Sequence, residues 1–215
     1  ISSIEASQLS DEVIEVIRNS NIVVNHLHIP IQSGSDTVLK RMRRKYTMDF
    51  FSERLRKLEQ ALPDVAVTSD VIVGFPGETE EEFMETYNFI RDHKFSELHV
   101  FPLSKRTGTP AARMEDQVDE EVKNERVHRL IALNDQLAKE YASRFEGDVL
   151  EVIPEERFKE SENENLYVGY TANYLKILFE AKEEMIGKLV KVKITKAGYP
   201  YNEGQFVRVL DTVEA

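Results

Sequence analysis

Through the first two-thirds of the chain, the spacing of apolar residues switches repeatedly between two periods. Val13, Ile14 and Ile17 share one face of a helix over residues 11–18, while 23–31 is a dense apolar run of strand length. Ser35 or Asp36 can cap a short helix ending at residue 42, and Thr47 caps a second helix running to 62. Residues 65–73 predict the next strand, and Thr79 with Glu82 forms a capping box opening a helix to about residue 93. Residues 97–103 predict another strand. After a loop, a long helix over 119–145 carries the stripe Val127, Leu130, Ile131, Leu137 and Tyr141. Residues 1–4 read as the end of a further strand. Strands alternating with helices imply parallel βαβ units. A complete eight-unit barrel takes about 250 residues. Four strands therefore predict a partial, TIM-like (β/α) barrel over residues 1–145.

The pattern changes after residue 145. Short strands are predicted at 149–153, 165–170, 174–179, 188–195 and 205–210, with turns between them. The stretch KLVKVKITK alternates cleanly: Val190, Val192 and Ile194 take one side, Lys191, Lys193 and Thr195 the other. Five such strands predict a small all-β barrel of the OB type over residues 146–215. The polar stretch KESENEN, 159–165, reads as a loop inside it.

Composition narrows the picture. A chain of 215 residues with 41% hydrophobic and 31% charged content fits an ordinary soluble protein. No run of about 18 apolar residues exists to span a membrane, and there is no signal-peptide pattern. The expected setting is cytoplasmic, without a membrane partner. A net charge of −11 argues against a chain that coats nucleic acid on every side, but leaves room for a local basic face. With no cysteine, these residues hold no disulfide, thiolate metal site or cysteine nucleophile. The chain opens on ISSIE rather than on Met, in the middle of a unit, and is read as a fragment.

In parallel α/β folds, ligands gather at the carboxyl ends of strands. Glu5 follows the first strand, Gln32 and Ser33 the second, and Ser104, Lys105 and Arg106 the fourth. A polar residue after a strand is most often a turn former or a cap, and Ser33, Ser35 and Asp36 suit that reading. Asp70 does not. It stands in SDVIVGFPGET ahead of Val71, Ile72 and Val73, where burial alone favours an apolar residue. Gly74, Pro76 and Gly77 permit a close backbone approach to a ligand, although a plain turn explains them nearly as well. His26 and His28 alternate with Leu27 and Ile29 and so point one way. No other ligand stands near them in sequence, and no metal site is read there.

Three blocks in order, HLHIPIQSGSDTVLKRMRRKYT (26–47), SDVIVGFPGETEEEF (69–83) and FPLSKRTGTPAARM (101–114), resemble the radical S-adenosylmethionine methylthiotransferases. The nearest type methylthiolates C2 of N6-threonylcarbamoyladenosine at position 37 of tRNA. The resemblance covers essentially the whole chain and implies that the terminal barrel is a TRAM domain. It implies S-adenosylmethionine as cofactor, [4Fe–4S] clusters, an electron donor and tRNA as substrate. The CxxxCxxC loop that holds the catalytic cluster in this family is absent, so the chain alone is expected to be inactive. In the wider radical SAM class, a Glu, a Gln, an Arg and an Asp on successive units contact S-adenosylmethionine. By resemblance these become Glu5, Gln32, Arg44 and Asp70, with the Gly74 turn beside the adenine. The alternatives are a non-catalytic RNA-binding module and the related enzyme that modifies a ribosomal protein aspartate.

Arg44 lies in KRMRRK, 40–45, and such charge runs are usually solvated faces or phosphate contacts. Arg106, before TGTP, is a candidate for holding substrate. The barrel offers the remaining RNA contacts. Lys188, Lys191, Lys193, Lys196 and Arg208 outnumber Glu203 along one stretch, a polarity suited to phosphate. Tyr174 and Lys176 share the outward side of NYLKILF, and Tyr199 and Tyr201 are placed either to stack on unpaired bases or to pack against the barrel.

Overall fold

The computed structural model describes residues 1–159, 163 and 165–210; most of the loop 159–165 thus lies outside the described residues. Two compact units emerge, Ile1–Val23 with Leu27–Leu137, and Val24–His26 with Ala138–Ala215.

β1 (His26–His28), β2 (Ala66–Val73) and β3 (Glu97–Pro102) form a sheet in that order, in the first unit but for His26. β2 and β3 run parallel, in register from Thr68 opposite Glu97 to Val73 opposite Pro102. Three strands replace the four expected. Residues 1–4 are not a strand, but they run beside β1, with Ile4 N–H donating to His28 O at 3.0 Å and His28 N–H to Ile1 O at 3.1 Å. β1 is also shorter than the apolar run 23–31. Pro30 has no N–H to give, and Gln32 takes a left-handed φ of 63°. Pairing with β2 continues around them through Ile29 N–H to Thr68 O and Gln32 N–H to Asp70 O, both 2.9 Å.

The helices are α1 (Asp11–Arg18), α2 (Asp36–Arg41), α3 (Met48–Ala61), α4 (Glu80–His93) and α5 (Glu120–Ser143). Thr47 caps α3 by accepting from Phe50 N–H, and the capping box of Thr79 and Glu82 opens α4 as its sequence predicts. Phe51, Leu55 and Leu58 of α3 join Phe83, Ile90, Leu130, Leu133 and Leu137 in one core around β2. Burying each such side chain is worth about 1.5–3 kcal/mol. The α5 stripe departs from expectation at Ile131, which is 44% exposed while Leu133 is buried. Each residue advances about 100° around a helix, which carries 131 off the line of 130, 133 and 137.

The turn GFPG between β2 and α4 is closed by a buried carboxylate. Glu78 accepts from Gly74 N–H at 2.7 Å and from Arg126 Nη1 at 2.9 Å. Gly74 has φ +75°, and a Cβ there would meet the side chain of the fully buried Lys123. Gly74 is thus required twice over. Nearby, Arg41 forks onto the two oxygens of Glu82 at 2.9 and 2.6 Å and reaches Gly77 O at 3.2 Å. Its guanidinium holds the Glu82 carboxyl down at about 2, with Thr37 and the Thr79 N–H adding to the effect. Arg41 in KRMRRK is therefore a structural tie, not a free phosphate contact.

In the second unit, β4 (Val149–Arg157), β5 (Leu166–Thr171), β6 (Lys176–Glu180), β7 (Val190–Lys196) and β8 (Asn202–Val209) close a barrel in the order β4-β5-β6-β8-β7. Val190, Val192, Ile194, Leu175, Ile177 and Phe179 are buried, as the alternation predicts. Several boundaries move, and β4 runs on to Arg157, past its predicted end at 153. β6 begins at Lys176 because Tyr174 takes φ 63° in a turn tied by Leu175 N–H to Thr171 Oγ1 at 2.9 Å. β8 begins at Asn202, whose buried side chain donates to Lys176 O and accepts from Gly198 N–H, both at 3.0 Å.

Two stability outcomes follow from these ties. Glu82 has an ordinary value of 4.5, so its depressed carboxyl stabilises the fold above that pH and loses the effect as pH falls through about 2. Glu82→Gln is expected to cost about 1–2 kcal/mol at neutral pH. In thermal melts across a pH series, that deficit should shrink between about 4.5 and 2. A pH-independent deficit would refute the Arg41 tie. Arg126→Met strands a buried carboxylate and should cost more, about 3–5 kcal/mol by chemical denaturation.

Candidate functional site

An open cavity of about 540 Å³ lies at the carboxyl ends of the parallel strands, lined by Gln32, Asp70, Ile72, Phe101, Leu103 and Arg106 among others. That volume falls in the usual range for small-molecule sites. Four of the sequence candidates therefore meet: Gln32, Asp70, Ser104 and Arg106. Gln32 is nearly buried and sits in the left-handed region, which a non-glycine residue occupies at a cost of about 1–3 kcal/mol. Its N–H donates to Asp70 O and its C=O accepts from Ile72 N–H, so β2 holds it there from both sides.

Asp70 is partly exposed and shares its face of the sheet with two histidines. His28 Nε2 lies 3.3 Å from Asp70 Oδ2, and His28 Nδ1 lies 3.0 Å from Thr68 Oγ1. His99 stands opposite Asp70 in the β2–β3 register, its ring 5.7 Å from that of His28. Sequence reasoning missed His99. The available signal was its place in ELHVFP, one residue on either side of apolar partners in a strand aligned with β2.

Glu5 and Arg44 do not line the cavity. They pair with each other at 3.3 Å, both partly exposed, and Glu5 caps the 3-10 turn Ala6–Gln8. Arg44 lines a second opening of about 400 Å³ with Lys40, Arg43, Lys45 and Tyr46. Gly74 is also absent from the cavity wall, and its N–H is committed to Glu78.

The barrel face is less free than its charge pattern implies. Lys191 stands opposite Glu151 and pairs with it at 3.0 Å, and Lys196 pairs with Glu203 at 2.9 Å. Among the described residues, Lys193 and Arg208 are exposed without an acidic partner. Tyr201 packs edge-on against Phe158 at 5.3 Å, the loop-packing alternative for that residue. Lys176 Nζ covers Tyr201 and Tyr170 at 4.8 and 5.8 Å, and Tyr174 stacks on Tyr170 at 5.0 Å with 41% of its surface exposed. Among the described residues, no helix is long and apolar enough to cross a membrane.

Residues 2–90 match the model of the radical SAM superfamily, and residues 143–209 that of the TRAM domain. Threonylcarbamoyladenosine tRNA methylthiotransferase MtaB of Bacillus subtilis is 79% identical over 98% of this chain, which covers 47% of that protein. A tRNA-2-methylthio-N(6)-dimethylallyladenosine synthase of Acetivibrio thermocellus is 44% identical over 93% of this chain and 41% of its own length. The chain thus spans about half the length of the curated relatives it matches. Among solved structures, the radical SAM coproporphyrinogen III oxidase of Escherichia coli matches with a TM-score of 0.54 at 17% identity. It covers 91% of this chain and 46% of that one, a likeness of fold alone. Residues 2–90 thus match the radical SAM superfamily and residues 143–209 the TRAM domain, in a chain similar over 98% of its length to part of a threonylcarbamoyladenosine tRNA methylthiotransferase.

Proposed function

We propose that this chain provides part of the S-adenosylmethionine pocket and the RNA grip of an enzyme that methylthiolates C2 of N6-threonylcarbamoyladenosine in tRNA. The observation that carries this reading is 79% identity over nearly the whole chain to a protein named for that activity. The cavity suits the cofactor. Asp70 offers a carboxylate for an ammonium or ribose hydroxyls, Gln32 both donates and accepts, and Arg106 offers a fork for a carboxylate. The exposed Glu5–Arg44 pair stands apart from this wall, so any cofactor contact by either requires the pair to open. When bound, S-adenosylmethionine would supply, on one-electron reduction, the deoxyadenosyl radical that removes the C2 hydrogen and, from a second molecule, the methyl group that is transferred. The chain's own residues would fix the cofactor's orientation, with Phe101 and Leu103 excluding water from one side. An iron–sulfur cluster does not fit these residues, because none of them is a cysteine. The barrel would hold RNA through Lys193 and Arg208, with Tyr174 and Lys176 at a stacking edge and Lys191 partly neutralised by Glu151.

The direct test is nucleoside mass spectrometry of tRNA from a strain lacking the gene. Loss of the 2-methylthio group from N6-threonylcarbamoyladenosine is expected. Unchanged tRNA with an unmodified ribosomal protein aspartate would assign the chain to the related branch instead. In the full encoded protein, Asp70→Asn should weaken S-adenosylmethionine binding by roughly ten- to a hundredfold in calorimetric titration, the loss of one charge-assisted hydrogen bond. Unaltered affinity in a folded variant would leave Asp70 without a cofactor role.

For RNA, each lost phosphate contact lowers the slope of log affinity against log salt by about 0.7–0.9. Lys193→Ala with Arg208→Ala should therefore flatten a filter-binding salt series by roughly 1.4–1.8. Lys191→Ala alone should do less than Lys193→Ala, and Glu151→Gln should strengthen binding by releasing Lys191. Equal slopes for the parent and the Lys193/Arg208 variant would move the RNA to another face.

A further inference from the structure

We propose that His28, Asp70 and His99 form a binding site for a divalent cation of the zinc class. The three donors come from β1, β2 and β3, so adjacent strands of one sheet present them on one face. One donor atom from each lies within 4.8 Å of the other two. Zinc bound to imidazole and carboxylate at about 2.0–2.2 Å in tetrahedral geometry holds its donors roughly 3.3–3.5 Å apart. His28 Nε2 and Asp70 Oδ2 already stand at 3.3 Å. His99 is exposed, and a rotation of its side chain would close the remaining gap.

The surroundings fit a ligand set as well as the distances do. Thr68 Oγ1 engages His28 Nδ1 at 3.0 Å, which fixes the ring and turns Nε2 toward Asp70. With Nδ1 donating, the hydroxyl stands where metal-bound histidines usually have a carboxylate, backbone carbonyl or water. As an ion pair alone the arrangement brings little, since a partly exposed pair contributes about 0–1 kcal/mol. Two imidazoles and one carboxylate favour zinc, cobalt, nickel or ferrous iron over magnesium or calcium. Three protein donors leave a coordination position open. Asp70 also lines the cavity, which places the ion at its edge. The inference does not rest on the proposed function, because it uses neither S-adenosylmethionine nor RNA.

The experiment is a titration of the purified chain with Co²⁺, read by its visible d–d absorption, and with Zn²⁺, read by calorimetry. No cysteine is present to supply a competing thiolate. One equivalent is expected to bind at micromolar concentration. His99→Asn, at an exposed position that leaves folding intact, should weaken binding about tenfold, and adding His28→Asn should abolish the saturable Co²⁺ spectrum. Circular dichroism checks that both variants are folded. His128→Gln, on the exposed face of α5, should change nothing. The proposal is overturned if the parent chain takes up no more metal than the His28→Asn/His99→Asn variant. It is equally overturned if uptake follows His128. Because Asp70 is left in place, these outcomes are independent of its part in cofactor binding.

Discussion

The carboxylate of Glu78 is the interaction on which the first unit depends. It is 5% exposed, and burial pushes its pKa up, while Gly74 N–H and the Arg126 guanidinium pull the other way. A buried ion pair of this kind adds little over an apolar contact, but losing either partner leaves the other stranded. What it brings is position. It fixes the start of the turn after β2, and Lys123, donating to Leu103 O at 3.3 Å, ties the end of β3 to the same helix. The ends of both strands are thereby held at the cavity wall.

That wall concentrates features that cost stability. Gln32 holds a left-handed backbone, and Asp70 sets a carboxylate in an apolar strand, with His28 and His99 on the same sheet face beside the wall. The neighbouring segments are conventional: capped helices, an apolar core and a β2 whose sides are mostly buried. Local conflict inside a locally consistent fold marks where a sequence has been shaped by chemistry rather than packing. The residues whose polarity packing does account for, such as Arg41 with Glu82, lie outside the cavity wall.

The barrel follows a different balance. Its interior is set largely by alternation, most clearly in β6 and β7, and its outer face carries lysines whose cross-strand neighbours are in part acidic. Pairing Lys191 with Glu151 offsets part of its charge, while Lys193 and Arg208 stand exposed. The barrel also carries an aromatic cluster, in which Tyr174 stacks on His26 at 3.9 Å and on Tyr170 at 5.0 Å, with Lys176 over Tyr170. Charge and stacking surface together are the elements that single-stranded nucleic acid recognition combines.

Period, capping and composition carried most of the fold. The switch from 3.6- to 2-residue spacing near residue 145, the caps at Thr47 and Thr79, and the inward faces of the barrel strands are local signals. Asp70 was also legible, because a carboxylate inside an apolar run is a local anomaly. The sequence left hidden whatever depends on residues far apart in the chain. Nothing near Lys191 announces Glu151, and nothing in KRMRRK distinguishes Arg41, bound to Glu82, from Arg44, bound to Glu5. His28, Asp70 and His99 are 42 and 29 residues apart along the chain (70 − 28 and 99 − 70). Only the parallel register of β2 and β3 and the placement of β1 beside β2 bring them together, since strand pairing is a long-range choice that no local pattern encodes.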